Sequence, residues 1–173
     1  MIPSIIKKIA KSVIPQRYLF LLRRKRGFSE YQKTKSYREI RQGVERLYFQ
    51  ENAFLEVFWK TVSIGKGPSL SLIVLDDEVL RFDCFGHKEG HFHISLTTFY
   101  DTKKDRMFFF ENSVEEQIQR TYFELTNNLD YYLQRNKSKK IRHFKIDKSL
   151  LETALKEACR KMREFHNLVP DLQ

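Results

Sequence analysis

The sequence predicts an α+β fold, an antiparallel β-meander of four to five strands flanked by N-terminal and C-terminal helices. Three observations carry this. The middle of the chain, about 53–110, alternates apolar and polar residues with a period of two, interrupted by short turn clusters. The segments after Ser113 and Ser149 instead space their apolar residues at three and four. Consecutive strands joined by turns too short for a crossover pair antiparallel, which leaves the helices to cover one face.

In chain order, the first 28 residues form a basic amphipathic extension. Ile2, Ile5, Ile6, Ile9 and Val13 share one helical face, with Lys7, Lys8 and Lys11 on the other. Pro15 ends that helix, and a second apolar patch, Tyr18 to Leu22, is followed by Arg23, Arg24, Lys25 and Arg26. No run approaches the roughly 20 apolar residues of a membrane span, so the expectation is a cytoplasmic chain, with peripheral membrane contact through this segment as an alternative. Residues 29–173 are expected to be a single α+β domain. A capping box at Ser36 and Glu39, with Tyr37, Ile40, Val44, Leu47 and Tyr48 on one face, predicts a helix ending at Asn52.

Strand character begins at Ala53, with Leu55, Val57 and Trp59 on one side and Phe54, Glu56, Phe58 and Lys60 on the other. Gly65 to Ser69 reads as a turn, Leu70 to Leu75 as an apolar strand, and Asp76 to Glu78 as the next turn. Val79 to Phe85 puts Leu80, Phe82 and Cys84 on one side and Arg81 and Asp83 on the other. After the loop Gly86 to Gly90, the next strand sets His91 and His93 opposite Phe92 and Ile94. Asp101 to Asp105 reads as a turn and Met107 to Phe110 as a strand. Helices at about 113–136 and 149–166 close the domain, each with a serine cap and a glutamate three residues on.

Charge is concentrated in two segments. Met1 to Ser29 carries +8 and Arg135 to Lys148 carries +6, leaving −4 of the net +10 to the rest of the chain. In the second segment Arg135, Lys137, Lys139, Lys140, Arg142 and Lys145 surround Phe144, the mixture of cations and an aromatic ring that a single strand of RNA meets favourably. Cys84 and Cys159 both fall at apolar positions, the pattern of two reduced, buried thiols.

Chemistry concentrates in Val79 to Leu96, which holds three of the five histidines. Pairing its two strands places Arg81, Asp83, His91 and His93 on one polar sheet face, expected to be exposed, with His87 and Lys88 at the loop. A His-x-His pair on a strand could hold a metal with His87 or Asp83 as a third ligand. Since neither a Cys-x-x-Cys nor a helical His-Glu-x-x-His pattern accompanies it, no metal and no cofactor is expected. The same groups suit metal-free cleavage of RNA. His91 and His93 serve as general base and acid, Arg81 and Lys88 stabilise the phosphorane, and Asp83 orients a histidine.

Arg81-Phe82-Asp83, the loop Gly86, His87, Gly90, and His91-x-His93 together resemble the core of TumE-like proteins, small toxins of bacterial toxin–antitoxin pairs. The order helix, meander, helix is also similar to that of RelE-type ribonuclease toxins. The resemblance spans about Phe54 to Phe110, and the N-terminal extension and the helices from Ser113 have no counterpart in it. It implies an endoribonuclease toxin with RNA as substrate and an antitoxin-like protein as partner. The competing expectation is a non-catalytic interaction protein that docks on an anionic membrane or a protein through Ile5, Ile6, Ile9 and the cations of Met1 to Arg26.

Overall fold

A computed structural model describes residues 40–94 and 106–168, all within Ile40–Gln173, the second of two units into which the chain divides. The N-terminal segment Met1 to Arg26, the Ser36/Glu39 capping box and the Asp101 to Asp105 turn lie outside the described residues.

The architecture is a six-stranded antiparallel sheet with helices, an α+β fold. The strands are β1 (Ile40–Gln50), β2 (Ala53–Val62), β3 (Gly65–Val74), β4 (Asp77–Asp83), β5 (His91–Ile94) and β6 (Arg106–Phe108), and they lie in the sheet in sequence order. Among the described residues four helices follow: α1 (Val114–Asn127), α2 (Leu129–Gln134), α3 (Lys139–Arg142) and α4 (Lys148–Asn167).

The sixth strand is β1, where the spacing had predicted a helix. Pairing with β2 is antiparallel, and two bulges interrupt it, between Gln42 and Glu45 and between Tyr48 and Gln50. Each bulge inserts a residue and resets the period-two phase. Three short strand segments in series thereby imitate the three-and-four spacing of a helix. Gly43 supplies the positive φ of 61° that the first bulge uses. Of the residues that looked inward, Ile40, Val44 and Tyr48 are exposed and Leu47 is partly buried against the core, whereas Phe49, outside that set, is buried.

Two turns are also displaced. Gly65 and Gly67 lie inside β3, and the hairpin turn is Ser63–Ile64. These glycines mark close approach: a Cβ on Gly67 would come 2.3 Å from the Cys84 carbonyl oxygen, and one on Gly65 would come 2.6 Å from the Phe85 ring. Leu75 and Asp76, both at positive φ, make the next turn, so that Glu78 belongs to β4 and is buried.

One sheet face carries Leu55, Val57, Leu70, Leu72, Leu80, Phe82 and Phe92, and it is covered by the helices. α4 packs across β1, β2 and β3, and α2 packs on β4. Helix α1 starts at the expected capping box: Ser113 Oγ accepts from the Glu116 N–H at 3.2 Å, and the Ser113 N–H donates to Glu116 Oε2 at 3.0 Å. The long helix expected after Ser113 breaks at Asn128, whose side chain donates to Glu124 Oε2 at 2.7 Å. α4 is capped by Asp147, two residues before the expected Ser149, through the Ser149 and Leu150 N–H groups. Cys84 and Cys159 are free and buried. Burial pushes both thiols up, Cys159 to about 11, so neither is a thiolate at neutral pH.

Candidate functional site

The second sheet face is polar, and the strand register builds it in rows. Glu56, Ser71, Arg81, His93 and Arg106 stand opposite one another across β2 to β6. The next row is Phe58, Ser69, Asp83, His91 and Phe108. Alternation in each strand sends these side chains to the side opposite the apolar core.

Arg81, Asp83, His91 and His93 do converge. Their common point is Asp83 Oδ2, with the Arg81 Nε and the His91 Nε2 each at 3.3 Å and the His93 Nε2 at 3.5 Å. The expectation of an exposed face is overturned, however: Asp83 is 0% exposed, His91 and His93 1%, and Arg81 8%. Period-two alternation separates two faces but does not say that the polar one meets water. A buried charge persists only when paired, and the charges around Asp83 are paired. Asp83 Oδ2 also accepts from the Lys60 ammonium at 2.7 Å, and Oδ1 accepts from Ser69 Oγ at 2.9 Å.

The pairing continues along the face. Arg41 reaches Glu56 at 3.1 Å and Glu78 at 3.6 Å, and Arg81 reaches Glu78 at 3.8 Å as well as Asp83. Reading Glu56, Arg41, Glu78, Arg81, Asp83, Lys60 gives strict alternation of sign, three anions against three cations. The Arg41 guanidinium also lies 4.2 Å over the buried Phe58 ring.

Protonation follows from these contacts. Burial alone would raise the Asp83 carboxyl, but the neighbouring Lys60 and Arg81 charges and the two imidazoles hold it well below the usual carboxylate range. His93 is pushed down to about 4, chiefly by burial and further by Arg81 and His91, against the opposing pull of Asp83. It is therefore a neutral base at pH 7, and its Nδ1 has no hydrogen-bond partner among the described residues. His91 differs. Its Nδ1 lies 2.7 Å from the Glu89 carbonyl oxygen, which can only accept. Its Nε2 faces the Asp83 carboxylate at 3.3 Å, so both ring nitrogens address acceptors. The two rings sit edge to face, 4.9 Å apart.

Asp83, His91 and His93 also place their ligand atoms within 4.8 Å of one another, a donor set suited by type to a divalent ion. Lys60 and Arg81 already crowd the carboxylate oxygen that such an ion would share. The electrostatics thus oppose a third cation there.

His87 and Lys88 are exposed, on a single 3₁₀ turn, His87–Glu89. No contact among the described residues ties either side chain to Asp83, His91 or His93. Lys60 supplies the buried ammonium instead. Sequence alternation had already put Lys60 on the polar side of its strand, and only the non-local pairing of β2, β3 and β4 brings it to Asp83. The loop is held by Gln117, which accepts from the Gly86 N–H at 2.9 Å and donates to the Glu111 carbonyl at 2.9 Å.

The basic segment lies elsewhere. Arg135, Lys137, Lys139, Lys140 and Lys145 are exposed, but Phe144 packs on the core, and Arg142 donates to the Asn136 and Lys137 carbonyls. Gln50 fastens this segment through the Lys145 carbonyl and the Asp147 N–H. Gln50 pairs with Ala53, whereas the Asp83 row crosses β2 at Phe58, five residues or roughly 16 Å farther along.

Comparison with protein-family models, with curated proteins and with solved structures finds no match for this chain.

Proposed function

We propose that the protein is a metal-independent endoribonuclease of toxin type, with the Asp83-centred cluster as its acid/base centre. The observation that carries the proposal is the meeting of two imidazoles on one carboxylate oxygen, beside two cations.

In this reading His93, neutral, takes the proton from the 2′-hydroxyl. The 2′-oxygen attacks the adjacent phosphorus, and the bond to the 5′-oxygen breaks. His91 gives its proton to that leaving oxygen. Lys60 and Arg81 offset charge on the phosphorane, and Asp83 holds the two rings and both cations in place. The products are a 2′,3′-cyclic phosphate and a 5′-hydroxyl. Because the cluster is buried, the scissile phosphate has to enter from its border, where Phe108 is 55% exposed and 5.9 Å from the His91 ring. An antitoxin-like protein partner and a cytoplasmic setting belong to the same reading.

The test is incubation of the purified full chain with single-stranded RNA in the presence of EDTA. Cyclic-phosphate ends are expected from the wild type, and a loss of about 10²- to 10⁴-fold in His91→Gln and His93→Gln. Absence of cleavage by wild type, or equal cleavage by all three folded proteins, would overturn the proposal.

A further inference from the structure

We propose that Phe108 and Arg106 form a subsite for one nucleotide of single-stranded RNA at the edge of the buried cluster, with Phe108 stacking the base and Arg106 holding a phosphate. The proposal deepens the ribonuclease reading and rests on it for the identity of the ligand.

β6 is the last strand of the sheet among the described residues, and the residue that follows it is anchored. Phe109 packs in the core, its ring 5.5 Å from Phe92 and 6.5 Å from Phe82. That fixes which way its neighbours point. Arg106 stands opposite His93 and Phe108 opposite His91, on the polar face. The Phe108 ring is 5.9 Å from His91 and 55% exposed, an apolar surface left in water beside the proposed acid. Phe110, two residues on, is 95% exposed.

Arg106, like His93 in the same row, has an unmet requirement. Its Nε is buried without a hydrogen-bond acceptor, and no carboxylate pairs with it among the described residues. Burying such a donor unsatisfied is costly, and an anionic oxygen arriving there would relieve the cost. The guanidinium carbon lies 5.9 Å from the Phe108 ring centroid, so one nucleotide could touch both groups. Aromatic faces accept any base by stacking, while a neighbouring arginine takes the phosphate, which is the chemistry of single-strand binding. A base on Phe108 would bring its own ribose and phosphate toward His91 and His93, the direction that cleavage requires.

The experiment measures binding of a fluorescent single-stranded oligonucleotide that is 2′-O-methylated, hence without the attacking hydroxyl, to the full chain. A matching probe is abasic at its central nucleotides. Phe108→Ala is expected to weaken binding of the base-containing probe by about 5- to 150-fold and to leave the abasic probe unchanged, with Phe108→Trp restoring affinity. Arg106→Ala is expected to weaken both probes and to lower the salt dependence by about one counterion. Equal affinity of wild type and Phe108→Ala, or an equal loss on both probes, would overturn the subsite. If wild type cleaves unmodified RNA under either result, the catalytic reading survives the loss of the subsite. If binding depends on Phe108 while unmodified RNA stays intact, the subsite stands and the catalytic reading falls. Wild type that binds no oligonucleotide refutes the subsite and leaves Phe108 and Phe110 as a protein-facing patch.

Discussion

Replacing Asp83 with asparagine keeps the shape of the side chain and removes the negative charge on which Lys60, Arg81, His91 and His93 converge. Lys60, with 3% of its side chain exposed, would be left with an ammonium 2.7 Å from a neutral amide oxygen or an amide N–H. Breaking a buried pair by removing one partner costs about 3–5 kcal/mol, because the remaining charge stays desolvated. That is a large share of the ~5–15 kcal/mol that holds a typical domain together. For 173 residues, each kcal/mol moves the melting temperature by about 2–4 °C, so Asp83→Asn should lower Tm by roughly 6–20 °C. The measurement is thermal and urea unfolding at pH 7 of wild type, Asp83→Asn, Lys60→Met and the double variant. The double variant should be more stable than Asp83→Asn, since it no longer buries an unmatched ammonium. The sign with pH is fixed as well. The Asp83 carboxyl is held low in the folded protein, so its stabilisation is full above the unfolded carboxyl range near 4 and is lost as pH falls through the lower folded value. If Asp83→Asn lies within ~1 kcal/mol of wild type at pH 7, the charge-paired account of this face is wrong.

Two further outcomes are expected. His93, lowered from 6.5 to about 4 by burial, binds a proton more readily in the unfolded chain, so wild-type stability should fall by about 2 kcal/mol between pH 7 and pH 5; His93→Gln should lose that part of the pH dependence in urea midpoints. Gly67→Ala, whose Cβ would meet the Cys84 backbone oxygen at 2.3 Å, should cost about 1–3 kcal/mol, and more than Gly65→Ala, whose obstacle is the Phe85 side chain; chemical denaturation of the two variants checks the order.

Much of the sheet was legible because one-residue alternation is a strong signal wherever a strand stays in phase. Leu80 and Phe82 faced the core while Arg81 and Asp83 faced away, and the histidines followed the same rule from His91 to Ile94. β1 was not legible, since its bulges chop the alternation into a helical rhythm. The glycines of β3 were read as a turn because sequence cannot distinguish a glycine that bends the chain from one that lets another backbone come close. At the site, local pairing of β4 and β5 sufficed to unite Arg81, Asp83, His91 and His93. Lys60 and Ser69 arrive from β2 and β3, a juxtaposition fixed by register rather than by nearness along the chain. Burial departs further from the sequence pattern: polar residues on alternate positions ordinarily signify solvent, and here the charges around Asp83 are compensated by one another.

The way α4 spans β1, β2 and β3 bears on how the nascent chain is made. The apolar side of β1 to β3 is complete once Val74 has been synthesised, yet its cover ends at Asn167, 93 residues later. At about 5–20 residues per second, translation leaves that surface uncapped for roughly 5–20 s. During that interval the half-built meander is a natural client for chaperones, and slowing synthesis between those two points should increase aggregation without altering the finished fold.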